Sequence, residues 1–87
     1  MSEYVEARYA RLMLRDLQAA RQDEATKRLS DLLRDLGSPR RVSSAGAKAL
    51  SSIRLLAQSL DRARSLDVQA WDAANQAAEA WCQSAFL

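Results

Sequence analysis

The chain has 87 residues, 13 basic and 11 acidic for a net charge of +2, no histidine, and one cysteine, Cys82. That length fits one domain, and so even a charge balance does not suggest a general nucleic-acid coat. Without histidine no Ser-His or Cys-His pair and no imidazole metal site can form, and a lone cysteine makes no internal disulfide, so catalysis, metal binding and cofactors are not expected.

No apolar run approaches the roughly 20 residues needed to cross a bilayer. Residues 1–6 are acidic and lack the apolar core of a signal peptide, so a soluble, cytoplasmic protein is expected. A lone cysteine fits a reducing compartment. The bias towards Arg, Ala and Leu points to a bacterial or phage source.

Ala, Leu, Arg, Gln and Glu dominate everything outside residues 37–46, and β-branched residues are rare. The expectation is an all-α fold: a single domain over 1–87, built as a small antiparallel bundle of three helices, or of four if the long N-terminal helix breaks. They would span about 2–36, 44–64 and 67–86, with a possible break near 21–24.

In the first segment, from the potential cap Ser2 to about Gln22, Val5, Tyr9, Leu12, Met13, Leu17 and Ala20 share a face at about 100° per residue. Arg8, Arg11 and Arg15 stand opposite, a basic stripe suited to a phosphate backbone or, more simply, to a solvated face diluted by Glu3, Glu6 and Asp16. Leu14 lies off the apolar stripe and is a candidate for contact with a partner. Tyr4 and Tyr9 are weaker candidate anchors.

From Glu24 to Leu36 the stripe is Ala25, Leu29, Leu32, Leu33 and Leu36, rotated by roughly half a turn from the first stripe if one straight helix runs through both. Asp23 could cap a new helix. The polar run Arg21-Gln22-Asp23-Glu24 contains neither Gly nor Pro, which favours one long N-terminal helix that shows its two ends to different neighbours.

Gly37-Ser38-Pro39 stops that helix. Beyond it, Arg40, Arg41, the serines 43 and 44, and Lys48 precede or open the next helix, where unpaired N–H groups and the helix dipole suit an anion. An ordinary interhelical loop with capping serines explains the same residues, and Walker-type spacing is missing. Arg40-Arg41-Val42-Ser43 resembles the target motif of basophilic kinases, a match that a capping serine explains equally well. A helix-turn-helix is not matched, because the gap of about six residues exceeds the usual three to four.

The third segment starts near Ser43 or Ser44 and carries Leu50, Ile53, Leu56, Ala57 and Leu60, with Leu55 off the stripe and partly exposed. The fourth starts after Asp67, a candidate N-cap flanked by Leu66 and Trp71 in the spacing of a hydrophobic staple. Trp71, Ala74, Ala78, Trp81 and Ala85 then form a seam in steps of three and four. The two tryptophans read first as core, with a role as interface anchors if the core closes only on dimerisation. Cys82, at the edge of the seam, reads as a small buried hydrophobe. The apolar end Ala85-Phe86-Leu87 is expected to dock on the bundle.

A domain of this size buries only about 60–65% of its unfolded surface, so a core thin in large residues favours a second copy or another protein as support. Functionally the sequence points to a small non-enzymatic interaction module, an adaptor, chaperone or inhibitor that covers a surface on a larger protein, as a homodimer or hetero-oligomer. Arg8, Arg11, Leu14, Arg15, Arg40, Arg41, Lys48, Leu55, Trp71 and Trp81 are its candidate contact residues. The alternative is a nucleic-acid-binding regulator that uses Arg40, Arg41 and Lys48 with the Arg8/Arg11/Arg15 stripe.

Overall fold

A computed structural model describes residues 3–17, 21–36, 43–63 and 66–86. Four α-helices account for nearly all of them: α1 (Glu3–Leu17), α2 (Gln22–Leu36), α3 (Ser44–Ala63) and α4 (Val68–Phe86), with no strand among the described residues. Each helix packs on its neighbours in a closed cycle, most extensively α4 on α1 and on α3, and α2 more thinly on α1 and α3.

The long N-terminal helix is therefore a correction: among the described residues there are four helices, and Arg21, just before α2, is not helical. A straight helix through residues 3–36 would be about 50 Å long at 1.5 Å per residue. The longest dimension of the molecule is 36 Å. Only a change of direction lets Leu14 and Leu17 share one core with Leu29 and Leu32. Arg21 lies outside the helix, and its carbonyl accepts the first hydrogen bond of α2 from the Ala25 N–H at 2.8 Å. The N-cap position thus falls on Arg21 and not on Asp23. Asp23 and Glu24 lie in the first turn, where negative charge faces the positive end of the helix dipole.

The buried face of α1 is a second correction. Ala7, Ala10, Leu14 and Leu17 are in the core together with Glu6, whereas Val5 and Leu12 are 49% and 48% exposed. Tyr9 and Met13 pack at the core's margin. The side chains with the greatest hydrophobicity do not mark the inner face here. Alanines do, because they let α1 approach the Ala74 and Ala78 positions of α4, which are also fully buried. With this face assigned, the inner stripes of α1 and α2 lie within about 60° of each other along a common straight helix. The apparent half-turn rotation was thus not what divides them.

The other stripes appear as the sequence implies. In α2, Ala25, Leu29, Leu32 and Leu36 are buried and Leu33 packs beside them; in α3 the core residues are Ala49, Leu50, Ile53, Leu56 and Leu60. In α4, Ala74, Ala78, Trp81 and Cys82 are buried, while Trp71 and Ala85 pack against the core in part. Capping agrees at two sites. The Ser43 hydroxyl accepts from the Gly46 N–H at 3.1 Å, and an Asp67 carboxylate oxygen accepts from the N–H groups of Gln69 and Ala70 at 3.0 and 3.3 Å. Phe86 does not dock in the core: it is 72% exposed, with its ring tilted against Tyr4 at 5.4 Å between centroids.

Candidate interaction surface

The surface of α1 is set by how α4 holds the helix from behind. Near its start, Glu3 Oε1 accepts three hydrogen bonds: from the Ser43 hydroxyl at 2.7 Å, from the Ser43 backbone N–H at 2.9 Å, and from the Trp81 indole N–H at 2.8 Å. The first turn of α1, the N-cap of α3 and the last turns of α4 are thereby joined through one carboxylate oxygen. These bonds hold the Glu3 carboxyl below its ordinary range, the Ser43 hydroxyl contributing most, then the Ser43 N–H and Trp81, with desolvation acting in the opposite sense.

Gly46 makes the junction possible. A Cβ at that position would lie 2.9 Å from both Glu3 Oε1 and Trp81 Nε1, and 3.0 Å from Trp81 Cε2. Near the other end of α1, the Trp71 indole N–H donates to the Leu14 carbonyl at 2.6 Å. Both tryptophans therefore tie α4 to α1, and their 10-residue separation spans nearly the same length as the two anchor points on α1.

So anchored, α1 has two seams in steps of three and four residues. Ala7, Ala10, Leu14 and Leu17 form the inner one, all buried. Val5, Arg8, Leu12 and Arg15 form the outer one, nearly opposite and all exposed. Beside the outer seam, on the α4 side, Tyr4, Arg8, Arg11, Leu12 and Arg15 line a groove of about 400 Å³ together with Cys82. Arg11 is drawn to its rim by Glu79 of α4, at 3.7 Å. Among the described residues Arg8 and Arg15 make no ion pair.

The structure thus brings together Arg8, Arg11 and Arg15 from the expected contact set, and adds Val5 and Leu12, which sequence reasoning had assigned to the core. Leu14 is corrected from a contact residue to the fully buried core; Trp81 is fully buried, as its first reading as core expects, and Trp71 is a half-buried link between helices, so none of the three stands free as an anchor. Leu55 is 63% exposed on α3, as expected, with Lys48 exposed two turns earlier on that helix. The packing cycle sets α3 across the molecule from α1, so this pair belongs to a different face. Arg40 and Arg41 lie outside the described residues, as do Gly37, Pro39 and the potential cap Ser2.

Cys82 is buried at the base of the groove. Burial pushes its thiol up, and the nearby Arg11 and Arg8 offset that only in part while Glu79 adds to it. The chain's linear sequence offered no cation near this cysteine; packing supplies two, and the thiol remains protonated at neutral pH. Among the described residues no three His, Cys, Asp or Glu side chains converge to hold a metal ion, and no helix is long and apolar enough to cross a membrane.

Compared with protein-family models, with curated proteins and with solved structures, the chain matches none.

Proposed function

We propose that this chain is a non-enzymatic interaction module, a small antiparallel helical bundle that covers a surface on a larger protein through the outer seam of α1. The observation that carries this reading is the pairing of Val5 and Leu12, each about half exposed, with Arg8 and Arg15 on a helix anchored from behind at both ends. Aliphatic side chains at the centre of such a face supply buried area, and guanidiniums at its edge supply orientation. An adaptor, a chaperone or an inhibitor would each use it in the same way, by occupying a groove on the partner.

The nucleic-acid alternative draws on the same arginines. Interleaved aliphatic residues and the Arg11–Glu79 pair fit a protein surface better than a phosphate backbone, which rewards an unbroken line of cations. Affinity capture on the full chain separates the readings. Wild type and Leu55→Glu should retain the same specific protein from lysate of the source organism, and Leu12→Glu should lose it. Recovery of nucleic acid that falls away steeply with salt would transfer the seam to the alternative, and retention of the same protein by Leu12→Glu would remove α1 from the interface.

A further inference from the structure

From the order of side chains on the outer seam we infer the chemistry of its occupant: an acidic amphipathic helix of another protein, with aliphatic and carboxylate residues alternating in steps of three and four. This rests on the reading of α1 as a docking face. The seam runs Val5, Arg8, Leu12, Arg15, an aliphatic residue and an arginine in strict alternation, all exposed. Steps of three and four are the spacing at which one helix lies along another and interleaves its side chains.

A second copy of the chain, docked seam to seam, leaves the arginines without a carboxylate in either direction. Parallel pairing of two such seams sets Arg8 against Arg8 and Arg15 against Arg15. Antiparallel pairing centred on Ala10 sets Val5 against Arg15 and Leu12 against Arg8, so that every aliphatic side chain meets a guanidinium and no charge is neutralised. A helix that offers an aliphatic residue to each of Val5 and Leu12, and a carboxylate to each of Arg8 and Arg15, satisfies all four positions at once. Arginine suits this task because its planar fork grips a carboxylate through two parallel hydrogen bonds. The groove beside the seam, with Tyr4 and Arg11 on its wall, gives such a helix a bed on the α4 side.

Panning a library of random 16-residue displayed peptides on the full chain tests this. Wild type should enrich acidic sequences with aliphatic residues at three- and four-residue spacing. The double variant Arg8→Glu, Arg15→Glu should bind those peptides at least tenfold more weakly and enrich basic ones in their place. Circular dichroism and tryptophan emission would verify that each variant keeps its fold, since the substituted residues are exposed. Neutral or basic enrichment on wild type, lost on Leu12→Glu, would overturn the acidic occupant while leaving the docking face intact. Failure of wild type to enrich any peptide, or enrichment indifferent to Leu12→Glu, would overturn both.

Discussion

At the scale of single residues, the Glu3 carboxylate oxygen is the most consequential atom outside the core. It holds together three helices with bonds that reach 40 and 78 residues along the chain. Its folded-state pKa lies below the ordinary 4.5, so the stability it contributes is present in full above the unfolded-state value and is lost as pH falls through the folded-state one. Glu3→Gln should lower stability at pH 7 by about 1 kcal/mol, solvent screening keeping the loss small. It should also flatten the acid limb of a denaturant midpoint measured from pH 6 down to pH 3.

Gly46→Ala tests the same junction from the other side. In an open helix that change stabilises by about 1 kcal/mol through propensity alone. Here the new Cβ meets an indole that is fully buried, and overpacking of that kind costs about 1–3 kcal/mol. The glutamate can swing aside but the indole cannot, so the expected sign is destabilising, read as a lowered Tm and a shifted Trp81 emission. A raised Tm would mean that Trp81 moves freely at this site.

At the scale of elements, the inner faces of α2, α3 and α4 were legible because leucines, an isoleucine and tryptophans recur there at helical spacing, and two of the caps were legible because serine and aspartate stand at helix starts. The face of α1 was not. Ala7 and Ala10 add little to any hydrophobic pattern, and their use becomes clear only when Ala74 and Ala78 are placed opposite them. The Glu3 junction was hidden for a related reason, since nothing local marks a carboxylate that will meet a cap 40 residues away. Paired truncations measure the result. Leu14→Ala should cost about 2–5 kcal/mol, as expected of a fully buried leucine, and Leu12→Ala under about 1 kcal/mol. Urea denaturation of both variants gives the two numbers, and equal losses would contradict the inner and outer assignment of α1.

At the scale of the whole molecule, the thinness of the core no longer calls for a second copy to seal it. Trp81 and Leu14, Leu17, Leu29, Leu32, Ile53, Leu56 and Leu60 are enclosed within a single chain, and among the described residues no buried side-chain nitrogen or oxygen lacks a partner. Among the described residues the large hydrophobic side chains left exposed are Val5 and Leu12 on α1, Leu55 on α3, and Val68 and Phe86 on α4. Which aliphatic residues of α1 face outward was not legible in the sequence, because that depended on the direction in which α1 faces its neighbours. Val5 and Leu12 are the residues whose place changes, from the expected core to the exposed face proposed here for contact.

The most direct measurement of that change is photo-crosslinking in the source cells from a benzoylphenylalanine placed at position 12, with position 55 as the comparison. A single discrete adduct formed from position 12, absent at position 55 and suppressed when Arg8 and Arg15 are reversed to glutamate, is the predicted result. Adducts confined to position 55, or none from position 12 in cells that contain the protein at its normal level, would contradict it.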